Sequence, residues 1–140
     1  MKRFIFVYGT LMSRQPAHYL LVGVSTYVGE ATTVGTLYSM GPYPAFQPKG
    51  EDTVHGELYI VDDATMLALD MYEGYRGQSE DGLYDKEVIK VEVEGLPMLA
   101  VVYTMKDAML NAYWHERIQS GSWREYIKQK EDEANAEGRA

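Results

Sequence analysis

The alternation of hydrophobic and polar positions changes period several times along the chain, and each change predicts an element. Residues 3–8 are apolar on both faces, which predicts a strand with neighbours on either side. Residues 16–22 suit a short helix. Glycines at 23, 29, 35 and 41 then interrupt a stretch in which residues 33–39 read as a strand. Pro42 and Pro44 stiffen residues 42–46 and make them an expected edge or loop. Residues 54–61 are rich in β-branched and aromatic side chains and predict a strand. Asp62 or Asp63 can cap the helix that follows, and Gly74 can end it in the left-handed conformation. Residues 88–93 and 98–103 form a hairpin about Glu94-Gly95, its second strand continuously apolar and so central. Ser122 and Glu125 make a capping box for a closing helix with Trp123, Ile127 and Lys130 on one side. Residues 131–140 are charged, lack an apolar face and are expected to fray.

The middle helix carries the sharpest chemical signal. Counted from Met66, the positions three, four and seven residues on are Leu69, Asp70 and Glu73, so two carboxylates share the apolar stripe. A carboxylate there loses water and faces a like charge one turn away. Both effects raise its pKa toward the range useful for a general base near neutrality. The same pattern also fits Glu73 exposed in a last turn and paired with Arg76, and Asp70 bonded to nearby backbone. Near the amino terminus the first strand breaks at Gly9 into Thr10-Leu11-Met12, where backbone N–H groups can converge on an anion. Residues 74–83 read as a surface loop, with a lid as the alternative.

Composition narrows the classes. With 46% hydrophobic residues in 140, the chain suits one domain, expected over residues 1–126, followed by a charged helix end or tail over 127–140. Zero cysteines exclude a disulfide framework, a thiolate nucleophile and a cysteine-ligated metal. His18, His55 and His115 have no ligand spacing, and neither a Gly-x-Ser-x-Gly turn nor a nucleotide-binding glycine fingerprint occurs, so no metal and no cofactor is expected. A net charge of −8 disfavours nucleic acid and anionic membrane as partners. The only apolar run near the start, residues 4–7, is too short to span a bilayer, and a soluble, cytoplasmic protein is expected.

Six segments in order then carry a resemblance: Phe6-Val7-Tyr8-Gly9-Thr10-Leu11, Met40-Gly41-Pro42-Tyr43-Pro44-Ala45, Val54-His55-Gly56-Glu57-Leu58-Tyr59, Leu69-Asp70-Met71-Tyr72-Glu73-Gly74, Val102-Tyr103, and Ile118-Gln119-Ser120-Gly121-Ser122-Trp123. From about residue 3 to residue 123 the chain resembles the gamma-glutamylcyclotransferase-like family. The resemblance implies an α+β fold, a small mixed β-barrel with flanking helices. It also implies an enzyme that forms 5-oxoproline from a γ-glutamyl amine or amino acid by attack of the substrate's own α-amine. Tyr8, Gly9, Thr10 and Leu11 would then be the substrate loop and Glu73 the proton acceptor. Tyr84 matches the family tyrosine of a Tyr-x-Arg segment and would bind substrate, with Lys86 standing in the arginine place. A lysine is a point charge rather than a planar fork, so it would brace a site less well. The other reading is a non-catalytic small-molecule-binding or regulatory module with the same cavity. The two readings part at Glu73, which an enzyme needs and a binder could replace by glutamine. Either way the expected partner is a small molecule, and no oligomeric state is implied.

Overall fold

In a computed structural model, which describes residues 1–75 and 84–138, the doubly apolar first strand has partners on both edges. This strand, β1 (Lys2–Val7), runs antiparallel to β3 (Pro44–Asp62), with Lys2 opposite Asp62 and Val7 opposite Glu57. Its other edge meets β5 (Leu96–Met105) in parallel at Ile5 and Val101. β5 forms a hairpin with β4 (Tyr84–Val93), whose far end touches β2 (Ser25–Ser39) at Glu92 and Thr32. β2 pairs antiparallel with β3 along its length, so the pairings return to β3 and close a ring of mixed strands. A two-residue β6 (Glu116–Arg117) pairs antiparallel with the end of β2 at Tyr38 and Ser39. The expected α+β fold with a small mixed barrel is thus what forms.

Two elements are longer than their sequence pattern suggests. β2 begins at Ser25 rather than near residue 33, because Gly29 and Gly35 lie within it at its two register shifts instead of ending it. A glycine in a strand often marks such a bulge. β3 begins at Pro44, so the expected edge or loop over 42–46 becomes strand from that proline onward. Residues 48–51 bulge from β3 between the pairs Gly35–Asp52 and Thr36–Gln47, and Thr36 Oγ1 donates to Lys49 O at 2.6 Å across the gap. Residues 16–22 supply only a 3₁₀ turn at His18–Leu20.

The helices cap as the sequence implies. Asp62 accepts from Thr65 N at 2.8 Å and starts α1 (Asp63–Glu73), which ends at Gly74 with φ 69°. Ser122 likewise accepts from Glu125 N and opens α3 (Trp123–Glu137). The charged stretch expected to fray is helical through Glu137, although exposed from Lys128 onward; Lys130 pairs with Glu133 one turn on, at 3.6 Å. A short α2 (Asp107–Ala112) follows β5. Among the described residues no helix is long and apolar enough to cross a membrane.

α1 is anchored by Met66 and Leu69, which are buried in the same core as Ile5, Phe6 and Val102. That anchorage fixes where the end of the helix, and therefore Glu73, sits on the barrel. Leu69 is fully buried, so Leu69→Ala should cost about 2–5 kcal/mol of unfolding free energy. Urea titration checks this, with an unchanged m value as the sign that the native fold is otherwise intact.

Candidate active site

The sequence breaks β1 at Tyr8-Gly9, and the chain turns tightly there. Met12 N donates to Gly9 O at 3.0 Å, Ala17 N to Thr10 O at 2.9 Å, and His18 Nδ1 to Leu11 O at 2.9 Å. The carbonyls of the loop are therefore satisfied by the protein. The N–H groups of Gly9, Thr10 and Leu11 donate to no acceptor among the described residues. Buried backbone donors need a partner, so these three are available to water or a ligand. Gly9 is required by close approach rather than by its backbone angle, because a Cβ there would run into the Pro44 ring.

A cavity of about 200 Å³ opens beside this loop, lined by Tyr8 to Leu11 together with Glu73 and Tyr84. The six residues that the resemblance assigns to the site thus line one cavity, whereas Asp70 and Lys86 do not. Phe6, Val7, Tyr43, Pro44, Tyr72 and Tyr103 complete the wall. Burial pushes the Glu73 carboxyl up to about 7. The expected like-charge contribution from Asp70 is absent, and the Asp70 carboxylate does not bond nearby backbone either. Its carboxylate is held by Lys86 Nζ at 2.9 and 3.0 Å and by the Tyr103 hydroxyl at 2.6 Å. Lys86 neutralises Asp70, and what acts on Glu73 is loss of water. Lys86 therefore braces a neighbouring carboxylate, with its ammonium 4.6 Å from the Tyr75 ring centre. The alternative partner for Glu73, Arg76, and most of the expected 74–83 loop lie outside the described residues. Among those residues no cluster of His, Cys, Asp or Glu is arranged to hold a metal ion.

Residues 5–125 match the family described as gamma-glutamyl cyclotransferase, AIG2-like. The chain belongs to this family. YtfP of Escherichia coli K12, a gamma-glutamylcyclotransferase family protein, is 30% identical over 119 residues, covering 85% of this chain and 94% of YtfP. YkqA of Bacillus subtilis is 30% identical over 129 residues; this chain is covered to 90% but spans only 43% of YkqA. The crystal structure of YkqA superposes on 94% of the chain with a TM-score of 0.74. That of an AIG2-like protein from Mus musculus, 28% identical, superposes with a TM-score of 0.63, covering 74% of this chain and 77% of that one.

In this family member the loop is held from behind by a cluster that pattern reading passed over. Glu57, 2% exposed, accepts from Ser13 N and Ser13 Oγ, both at 2.7 Å, and from the Tyr59 hydroxyl at 3.1 Å. Arg124 at the start of α3 donates to Ser13 O and Oγ, each at 2.8 Å, and to Glu57 at 3.2 Å. The legible signal was a lone carboxylate inside the apolar 54–61 strand, since a buried charge persists only where it is paired and hydrogen-bonded. Tyr43, in the bend before β3, and Tyr72 and Tyr103, in α1 and β5, gave no such signal, because a tyrosine among apolar neighbours carries no pattern of its own.

Burial alone would raise the Glu57 carboxyl, but the Ser13 backbone and side-chain bonds, with Arg124 and Tyr59, hold it below the ordinary carboxylate value. Stability from such a group is present above the unfolded-state pKa and is lost as pH falls through the lowered one. Glu57→Gln should therefore melt below wild type at pH 7, with the gap narrowing as pH falls below about 4.5. Thermal melts from pH 7 to 3 check this; a gap independent of pH would show that the charge contributes nothing.

Proposed function

We propose that the chain catalyses γ-glutamyl cyclotransfer, with Glu73 as the base and the Tyr8 to Leu11 loop as the holder of the glutamyl moiety. The observation that carries this reading is the sharing of one small cavity by a carboxylate near pKa 7 and three unpaired N–H groups. Membership of the family and the size of the cavity support it.

The chemistry needs no nucleophile from the protein. Ionised Glu73 takes one proton from the substrate's α-ammonium, and the freed amine attacks the γ-amide carbon. An N–C bond forms and the carbonyl oxygen gains charge, which the N–H groups of Gly9 to Leu11 can stabilise as they can the α-carboxylate. Glu73 passes this proton to the leaving nitrogen and takes a second one from the ring nitrogen, which is positively charged after attack; the old C–N bond breaks, the second proton follows to the released amine, and 5-oxoproline and an ammonium product remain. Folding the glutamyl chain for attack is worth roughly 7–11 kcal/mol, from effective molarities of about 10⁵–10⁸ M. A positioned base contributes about 10²–10⁴-fold more. A screen of γ-glutamyl amino acids, γ-glutamylamines and glutamyl-lysine isopeptides for release of 5-oxoproline tests the reading. Release from none of them overturns it.

Because Glu73 must be ionised to accept the proton, kcat/KM should fall as pH drops below about 7. Glu73→Gln should lose at least about 10²-fold in rate and the acidic limb with it. A variant within a few-fold of wild type would remove Glu73 from the role.

The same substitution has a stability signature of opposite sign to that of Glu57. A carboxyl raised on folding contributes fully below its unfolded pKa and loses that contribution as pH rises through the folded one. The rise from 4.5 to about 7 corresponds to about 3 kcal/mol. Glu73→Gln should thus be more stable than wild type by up to that amount at pH 8, and by nothing at pH 4. Urea titrations at the two pH values check it.

A further inference from the structure

The protons of three cavity tyrosines are already committed to the protein. Tyr8 donates to Tyr103 O at 2.8 Å, Tyr84 to Pro44 O at 3.1 Å, and Tyr103 to Asp70 Oδ1 at 2.6 Å. The directions are forced: a carbonyl only accepts, and Asp70, ion-paired with Lys86 at 2.9 Å, is an acceptor as well. A phenol has a single proton, so each of these hydroxyls can offer a ligand only oxygen lone pairs. All three side chains are buried. Burial first, with the nearby Glu73 charge adding to it, holds each phenol proton more firmly than usual. None of them becomes phenolate near neutrality.

The rest of the lining sharpens the division. Glu73 adds a carboxylate, and no lysine, arginine or histidine lies among the described residues that line the cavity. Unpaired backbone donors occur at Gly9, Thr10 and Leu11. Tyr8, Tyr84, Tyr103 and Glu73 thus present acceptors, whereas the loop N–H groups and the other lining hydroxyls, those of Tyr43 and of the Thr10–Tyr72 pair 3.0 Å apart, can still donate. A carboxylate against the acceptors would find no hydrogen to bond and would meet Glu73. An ammonium brings three N–H donors and a positive charge.

Building on the proposed reaction, we infer that Tyr8, Tyr84 and Tyr103 form with Glu73 an acceptor wall that recognises the substrate's α-ammonium. The site then selects its γ-glutamyl group as a zwitterion, with the ammonium on the wall and the α-carboxylate on the loop. When Glu73 removes one proton, phenol oxygens hold the remaining N–H groups and the nitrogen lone pair is left for the amide carbon. The tyrosines are binding residues that set which groups the substrate must carry.

L-Glutamate and glutarate test this, because they share both carboxylates and differ only in the α-ammonium, and neither carries an amine to release. Calorimetry should show wild type binding L-glutamate about tenfold or more tightly than glutarate, as expected for hydrogen bonds to a charged group. Tyr8→Phe, Tyr84→Phe and Tyr103→Phe should each reduce that ratio while leaving the glutarate Kd nearly unchanged. Loss of a merely structural bond would weaken both ligands alike. Circular dichroism checks folding, and any one folded variant suffices, since the wild-type ratio is itself decisive. Equal affinity for the two ligands, binding of neither at millimolar concentration, or an unchanged ratio in a folded variant overturns the inference. Ammonium-dependent binding without release of 5-oxoproline from any γ-glutamyl compound would keep the wall and overturn the reaction. Turnover with equal affinities would do the reverse.

Discussion

The double pairing of β3 is the constraint on which the rest depends. One strand lies against β2 along its length and against β1 over its last six positions, and only this closes the ring. The strand also carries most of the site's supports. Its first residue, Pro44, covers Gly9 and accepts the Tyr84 hydroxyl. Its Glu57 lies opposite Val7 and catches Ser13 as the chain leaves β1. Its last residue, Asp62, caps the helix that ends at Glu73. Loop, wall and carboxylate are therefore held to a common frame with few joints between them.

The two glutamates show how one barrel gives the same functional group opposite properties. Glu57 is buried, yet it stays ionised because bonds from Ser13, Arg124 and Tyr59 replace its water. No described residue hydrogen-bonds the Glu73 carboxylate, and burial acts on it unopposed. Asp70 is intermediate in location but resembles Glu57 in kind, with Lys86 and Tyr103 as partners. Neutralising every acidic neighbour leaves Glu73 as the one carboxylate in the cavity lining whose proton affinity has moved toward neutrality. Holding it there works against folding, as functional sites often do.

Much of this was legible in the sequence, for identifiable reasons. The end of β1, the capping of α1 and the placing of Met66, Leu69 and Glu73 on one stripe follow from local pattern, and local pattern survives folding. What misled was chemistry between elements. Spacing puts Asp70 and Glu73 on one face, but only the fold brings Lys86 from β4 to neutralise Asp70. The glycines of β2 read as breaks because a bulge becomes visible only once β3 is beside it. The resemblance singles out Tyr8 and Tyr84, but what the phenols do was hidden for another reason: a phenol's role depends on where its proton goes, and the acceptors are backbone oxygens or carboxylates far away in the chain.

On the proposed reaction, an acceptor-only wall also bears on how a turnover ends. Cyclisation converts the ammonium into a lactam nitrogen, which carries one N–H and no charge. The product thus lacks the cation and most of the hydrogens that three phenol oxygens and a carboxylate would have gripped. Glu73, having passed both protons to the departing amine, is again an anion facing a molecule whose one remaining charge is negative. The site that holds the reactant by its ammonium would repel the product by its carboxylate, so the chemical step itself would empty the cavity.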